Sequence, residues 1–307
     1  MRQSSSDLEN NSAEQRERRH WAWMALFTGA AGIGFAPIFV RLSETGPSAT
    51  ASLRVFVALP LLWTWALVER RSSPVPPSPI RAQGKAIIIA GLLFTADLAI
   101  WHWSLRMTTI ANSTLFSNLA PVFVALGAWY LFAERPTLFF LIGTVVAFAG
   151  ATLLVSVSFQ FGTSHLWGDI LATVTAIFYA GYLLAVKHLR QHLSTARIMA
   201  WTGSVSAPAF MIVALLSGEK IIPATRNGWL AVIALGLISH VGGQTLIAFA
   251  FGRLPASSSA LSLLLQPVVA AVLAWILFGE VLSPLQLCGA AITLGGLVIA
   301  SRKRVTG

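Results

Sequence analysis

Two stretches of this chain repeat one another's pattern. Residues 121–155 read PVFVALGAWYLFAERPTLFFLIGTVVAFAGATLLV, and residues 267–300 read PVVAAVLAWILFGEVLSPLQLCGAAITLGGLVIA. At a constant offset of 146 positions, Pro121 meets Pro267, Trp129 meets Trp275 and Glu134 meets Glu280. Gly143 then meets Gly289, and Gly150 meets Gly296; upstream, Arg41 meets Lys187. Ten continuous apolar stretches run through the chain, near 21–40, 48–68, 85–104, 109–132, 138–157, 166–186, 195–216, 228–250, 256–278 and 284–301. Each has about the 20 residues that a helix needs to cross a bilayer, and none alternates as a barrel strand would. Five stretches fall in each copy. Five is odd, so the second copy must cross the membrane in the opposite sense to the first.

The expected fold is therefore an all-α integral membrane protein with ten transmembrane helices in two inverted five-helix repeats. The first repeat covers residues 21–157 and the second residues 166–301. A polar N-terminal segment, residues 1–20, reads as a disordered cytoplasmic tail, too poor in apolar residues to fold by itself. Residues 302–307 form a short C-terminal tail. Inverted repeats of this kind build transporters, with the substrate site near the midplane where the halves meet. The competing expectation is a duplicated scaffold that transports nothing.

Composition agrees with lipid as the solvent. Hydrophobic residues make up 56% of the chain and charged residues 10%, against about 25% charged in ordinary soluble domains. A plain soluble enzyme is excluded. The single cysteine, Cys288, rules out an intramolecular disulfide and a cysteine-rich metal site. The net charge of +10 points to basic loops beside an anionic leaflet and not to nucleic acid. Of the 21 Lys and Arg residues, sixteen fall on the side of the termini, four on the other side and one, Arg54, inside a span. The positive-inside rule places both termini in the cytoplasm of a cell inner membrane.

Only Asp97 among the acidic residues, and only Arg54 among the basic ones, sits well inside a span. Ionisable residues in that position are costly and are functional candidates. Both fall at similar depth in the half remote from the termini, so they are expected to form a buried pair that acts as a gate, a substrate anchor or a lock between helices. Trp101 follows Asp97 by one turn, and His240 and Gln244 lie one turn apart on the repeat-related helix 8. Tyr179 and Tyr182 lie deep in helix 6. Asn112 in helix 4, and Ser262 and Gln266 in helix 9, add polar groups at related depths. Together these residues are the candidate lining of a central cavity, against the alternative that they are packing glue between helices. Pro121 and Pro267 each remove a backbone donor and are expected to kink helices 4 and 9. Glu134 and Glu280 read as structural turn residues.

The blocks PVFVALGAWYLFAE and PVVAAVLAWILFGE, with the glycines of the helix after each, resemble the EamA repeat of the drug/metabolite transporter superfamily. The resemblance covers residues 20–301, in both halves. It implies ten helices, two inverted repeats, alternating access and export of small metabolites. Bacterial members include amino-acid exporters, among them ones that handle aromatic amino acids; sugar-phosphate and nucleotide-sugar transporters are more distant. Anionic cargo of that second kind needs several deep cations, and Arg54 alone is a poor supply.

No HExxH, GxxxxGK[ST] or GxSxG motif occurs, so neither ATP hydrolysis within this chain nor familiar hydrolytic chemistry is expected. No metal or cofactor is expected. The partners expected are a small-molecule substrate and the lipid bilayer, not nucleic acid. The reading is an inner-membrane exporter of small metabolites, plausibly amino acids including aromatic ones. The alternatives are a transporter of sugar phosphates, nucleotide sugars or drugs, and a scaffold. A lone deep carboxylate favours exchange or facilitated diffusion over proton coupling.

Overall fold

The computed structural model describes residues 5–72, 80–108, 110–156, 166–278 and 283–301. Among them there is no strand, and the chain forms ten helical crossings. Helix α1 is Ser5–Gly34, continued after a break at Phe35 by Ala36–Leu42. Then come α2 (Pro47–Ser72) and α3 (Ile80–Met107). Helix α4 comprises Ile110–Ser117 and Ala120–Phe132, and α5 is Leu138–Val155. The second half repeats the order with α6 (Leu166–Leu189) and α7 (Thr195–Leu216). Helix α8 joins Arg226–Ala234, a π-helical segment Leu235–Gln244 and Thr245–Phe251. Helix α9 joins Ala256–Leu261, a 3-10 turn Ser262–Leu264 and Leu265–Phe278, and α10 is Pro284–Ser301. Eight crossings are long and apolar enough to span a membrane outright; α5 and α10 are the shorter pair. At 18 residues each they reach about 27 Å, close to a ~30 Å hydrocarbon core.

One sequence expectation meets a difference here. The first helix begins at Ser5, inside the segment read as a disordered tail. Extending a helix already nucleated by a stable span costs little, and residues 13–19 (AEQRERR) are mostly good helix formers.

The main packing runs between the halves rather than within them. Helix α3 lies on α6 and α7, and α1 lies on α8 and α9. Helix α2 lies on α7 and α8, and α4 lies on α6 and α9. Helix α5 pairs with α10. Adding five to each helix number of the first half maps this set of contacts onto itself. The pairs α2–α7, α4–α9 and α5–α10 therefore straddle a pseudo-two-fold axis in the membrane plane, as an inverted repeat requires.

Sequence explains how these pairs come close. Lipid offers no hydrophobic drive for helices to associate, so small residues that permit backbone approach take its place. A Cβ added at Gly143 would strike the backbone of Gly296 and Ala300; one added at Gly150 would strike Gly289 and Thr293. Gly289 is the repeat mate of Gly143 and Gly296 that of Gly150, and each glycine meets the other's mate, so the two helices cross on the axis. Large apolar side chains on their other faces, such as Val145 at 70% and Val298 at 56% exposure, suit lipid and would burden a soluble protein.

Carboxylates stitch the helix ends across the halves. Glu219, after α7, accepts the Ala49 backbone N–H at the start of α2 at 2.9 Å. Reciprocally, Glu69 near the end of α2 accepts the hydroxyl of Ser194, the N-cap of α7. Glu44, in the left-handed conformation at φ 59°, accepts the Ala224 and Thr225 N–H groups at 2.9 Å before α8. These hydrogen bonds hold its carboxyl below the usual range, led by the Thr225 hydroxyl. Negative charge at a helix N-terminus also complements the helix dipole.

Replacing Gly150 by Leu is expected to destabilise the fold by about 1–3 kcal/mol through overpacking. It should lower the unfolding midpoint of detergent-purified protein. The same change at Gly295, where an added Cβ meets nothing within 4 Å, should leave the midpoint where it was.

Candidate functional site

Two residues related by the repeat touch each other. Phe94 and His240 are 146 positions apart, and their rings lie 6.2 Å centroid to centroid. Repeat mates make contact only beside the pseudo-two-fold axis, so this pair marks the centre of the molecule where the halves meet.

A buried aromatic and polar cluster surrounds it. Helix α6 presents Tyr179 and Tyr182 on one face, stacked at 6.3 Å. The Phe94 ring packs on Tyr182 at 4.8 Å and edge-on to Phe210 of α7 at 5.7 Å. The Gln244 amide donates to the Tyr182 hydroxyl at 3.2 Å. Gln266 of α9 stands beside the Tyr179 hydroxyl. Arg54 of α2 lies over the Phe94 ring, 5.5 Å from its centroid. Asp97, one turn beyond Phe94, is 5% exposed and interacts electrostatically with Arg54, Tyr179 and Tyr182. Thr175 ties α6 to α3 through the Asp97 backbone carbonyl at 3.4 Å.

Local backbone breaks set these side chains. Pro267 cannot donate to Leu263, which lies in the 3-10 turn Ser262–Leu264. Pro121 cannot donate to Ser117, where the first segment of α4 ends. Each break falls one turn before its proline, as loss of the i to i−4 bond requires. The π segment of α8 has no counterpart in α3, which stays α-helical over the matching residues. Its glycines let it press close to its neighbours: a Cβ at Gly236 would strike the Arg54 carbonyl, and one at Gly243 would strike Gly29. The segment carries both His240 and Gln244. Such bulges recur at functional sites.

Most of the residues singled out from sequence converge here: Arg54, Asp97, Tyr179, Tyr182, His240, Gln244 and Gln266. One expectation is corrected. Arg54 and Asp97 sense each other's charge but form no direct ion pair, because α2 and α3 pack mainly on α7 and α6 and Arg54 lies over Phe94. Trp101 stands apart, half-buried, with its ring 5.4 Å from His102. Ser262 is buried and spends its hydroxyl on the Ser258 carbonyl at 3.1 Å. The side chain of Asn112 and all of Glu280 lie outside the described residues. Phe94 and Phe210 were not anticipated. Phe94 was detectable, since it sits one turn before Asp97 and at the repeat offset from His240.

Chemically the cluster is unfinished. The Arg54 Nε and the His240 Nε2 are buried without a hydrogen-bond partner, while the Gln266 amide stands against the Tyr179 hydroxyl. Each such group costs about 1–3 kcal/mol when left unsatisfied. Two unpartnered nitrogens from α2 and α8, with the Gln266 amide of α9 and one carboxylate nearby, form a polar environment that a ligand with both donors and acceptors would complete. Among the described residues no group of three His, Cys, Asp or Glu side chains gathers to hold a metal ion.

Known proteins place this architecture. A relative from Streptantibioticus cattleyicolor, described as a probable terminal-alkyne amino-acid exporter, is 29% identical over 68% of this chain and 70% of its own length. The pseudopaline exporter of Pseudomonas aeruginosa is 22% identical over 71% and 75%. An uncharacterized transporter of Archaeoglobus fulgidus is 25% identical over 88% and 93%. One solved crystal structure superposes with a TM-score of 0.76 at 19% identity, covering 91% of this chain and 98% of the other, which supports the fold. The family model for EamA-like transporters matches twice, at residues 20–156 and 166–302. A ten-helix membrane transporter built as two inverted repeats, this chain belongs to the EamA-like transporter family.

Proposed function

We propose that this transporter exports small amino-acid-like metabolites across the inner membrane by alternating access, with both termini in the cytoplasm. The observation that carries this reading is the unfinished polar cluster on the pseudo-two-fold axis. A carboxylate has the lone pairs that the Arg54 guanidinium lacks, with His240 and the Gln266 amide beside it as further polar contacts. An ammonium group finds its counter-ion in Asp97. The faces of Phe94, Tyr179 and Tyr182 then meet the rest of the molecule, and stacked or edge-on aromatic contact adds about 0.5–1.5 kcal/mol beyond burial. That combination suits zwitterions with apolar or aromatic side chains. The printed names of two relatives, an amino-acid exporter and a pseudopaline exporter, lie in the same chemical direction.

Charge balance argues against phosphate cargo. A phosphomonoester brings about two negative charges at neutral pH, and the site offers one cation already facing an anion. The family and its relatives point to transport rather than catalysis. With no ATP-binding motif and one deep carboxylate, exchange or facilitated diffusion is the simplest energy source.

The test is counterflow in proteoliposomes with labelled L-phenylalanine and other amino acids, with and without an imposed proton gradient. Saturable exchange that ignores the gradient is expected. Asp97→Asn and Arg54→Gln should each slow exchange roughly tenfold or more, the range for losing a hydrogen bond to a charged group. Wild-type flux in both variants, with folded protein confirmed, overturns the assignment.

Cargo preference gives a separate check. Phe94→Leu and Gln244→Leu should shift the ratio of phenylalanine to alanine exchange by roughly threefold to tenfold, while Trp101→Leu should not. Equal loss for every cargo, in step with protein yield, would assign the cluster to packing.

A further inference from the structure

A second feature lies at the opposite pole from the four outlying cations. At the end of the bundle that carries most of the Lys and Arg residues, a pocket of about 520 Å³ opens between the α4–α5 turn, the end of α6 and the α8–α9 turn. Four cations line it, Arg135, Lys187, Arg190 and Arg253, against one carboxylate, Glu134. The imbalance is local as well as formal. Arg190 gives one nitrogen to the Leu193 carbonyl at 2.7 Å, and its Nε is buried without a partner. Burial and the neighbouring Arg253 oppose its charge, and the Glu69 carboxylate favours it.

Glu134 is fully committed across the boundary between halves. It belongs to the first half, just past Ala133, whose left-handed φ of 55° ends α4. Its Oε1 meets Lys187 of α6 at 2.5 Å, and its Oε2 accepts the Ala256 N–H at 2.8 Å. Lys187 also donates to the Leu254 carbonyl at 3.1 Å. One ion pair thus joins α4, α6 and the α8–α9 turn at the floor of the pocket.

A polar stripe leads inward from there. Ser258 lines the pocket, Ser262 lies one turn deeper, and Gln266 one turn deeper again reaches Tyr179 in the buried cluster. Eight residues of helix correspond to about 12 Å. Lys187 and Tyr179 mark the same two levels on α6. The pocket and the cluster therefore lie at two levels of the same helices, about 12 Å apart, with the Lys187–Glu134 pair at the level of the pocket.

We propose that this pocket is a second binding site, a vestibule that takes the carboxylate of a small zwitterionic or anionic molecule on Lys187 and Arg190, and that the Lys187–Glu134 pair closes it off from the buried cluster. The inference rests on the export reading for the identity of its ligand, though the pocket's charge and the ion pair stand without it. A carboxylate entering the pocket competes with Glu134 for Lys187, and so loosens the bridge between halves that must part when this end opens. By sequence offset Arg41 and Glu280 are the repeat mates of Lys187 and Glu134.

The experiment uses full-length protein with Cys288 replaced by Ser and a single reporter, Ser258→Cys or Ser262→Cys, alkylated in phosphatidylcholine vesicles. L-Phenylalanine should slow alkylation at position 258, and phenethylamine, its decarboxylated counterpart, should not. Arg190→Gln should weaken that protection roughly tenfold. Lys187→Gln and Glu134→Gln should raise the alkylation rate at position 262 by a similar factor, because the pair no longer covers it. Asp97→Asn should slow counterflow roughly tenfold or more yet leave protection at 258 intact, which separates failure of this site from failure of the central one.

Equal protection by phenethylamine overturns the carboxylate assignment. Protection by phosphatidylglycerol in the vesicles, with no further effect of phenylalanine, assigns the pocket to a lipid headgroup and overturns the vestibule. An unchanged rate at 262 in both gate variants, with unfolding midpoints near wild type, overturns the door. Should Lys187→Gln fail to fold, Glu134→Gln gives the same readout alone.

Discussion

Everything in this molecule depends on helices from opposite halves coming close enough to share an axis. In lipid the driving force for that approach is van der Waals contact and hydrogen bonding, since apolar side chains gain little by leaving one apolar solvent for another. Glycines at Gly143, Gly150, Gly289 and Gly296 remove the side chains that would hold α5 and α10 apart. Once that pair is seated on the axis, the other crossings follow as symmetric pairs: α1 on α8 with α6 on α3, and α1 on α9 with α6 on α4. The halves are so interleaved that neither has a core of its own, and any functional motion must be a change in how they meet.

The symmetry is imperfect where chemistry is needed. Phe94 and His240 occupy equivalent positions, yet one is an apolar ring on a regular α-helix and the other a polar ring on a π segment. A strictly symmetric site would present the same group twice and would recognise only a symmetric ligand. Substituting one mate lets the axis hold a molecule with two different ends. The unpartnered nitrogens come from α2 and α8, while the carboxylate comes from α3, so polarity is already laid out across the cluster. Their cost is tolerable because the packing around them is over-determined elsewhere, which is how strained or unsatisfied groups persist at functional sites.

Much of this was legible in the sequence, for physical reasons that can be named. The ten crossings followed from lengths of continuous apolar residues, and inversion followed from an odd count per repeat. The deep polar residues stood out because lipid makes them expensive: Asp97, Arg54, His240 and Gln244 were found this way. Their convergence was only partly readable. Sequence neighbours were expected to be spatial neighbours, which suggested a direct Arg54–Asp97 pair; the dominant contacts instead run between halves, so α2 faces α7 and α3 faces α6. The π segment left no periodic signature beyond its glycines. Phe94 escaped notice because an aromatic in an apolar span is unremarkable until the offset of 146 ties it to His240. The first helix ran past its apolar stretch because continuation is cheap once the span exists.

The two ends of the bundle can be compared on the same footing. At the end remote from most of the basic residues, Glu44 and Glu219 bind backbone N–H groups near helix starts of the other half. Those bonds hold helix termini, and Lys220 beside Glu44 adds only the smallest of its electrostatic contributions. At the basic end Glu134 also caps a helix start, at Ala256, but spends its second oxygen on Lys187. A capping carboxylate is held by amides fixed in the backbone. An ion pair to a lysine rests on a flexible side chain, and a carboxylate that enters can take the glutamate's place at little net electrostatic cost. Of the carboxylate bridges described between the halves, the one at the pocket is therefore the one a ligand can exchange with. In a protein whose halves must part in alternation, an exchangeable bridge belongs where cargo first arrives, and a permanent one belongs where helix ends need only be held.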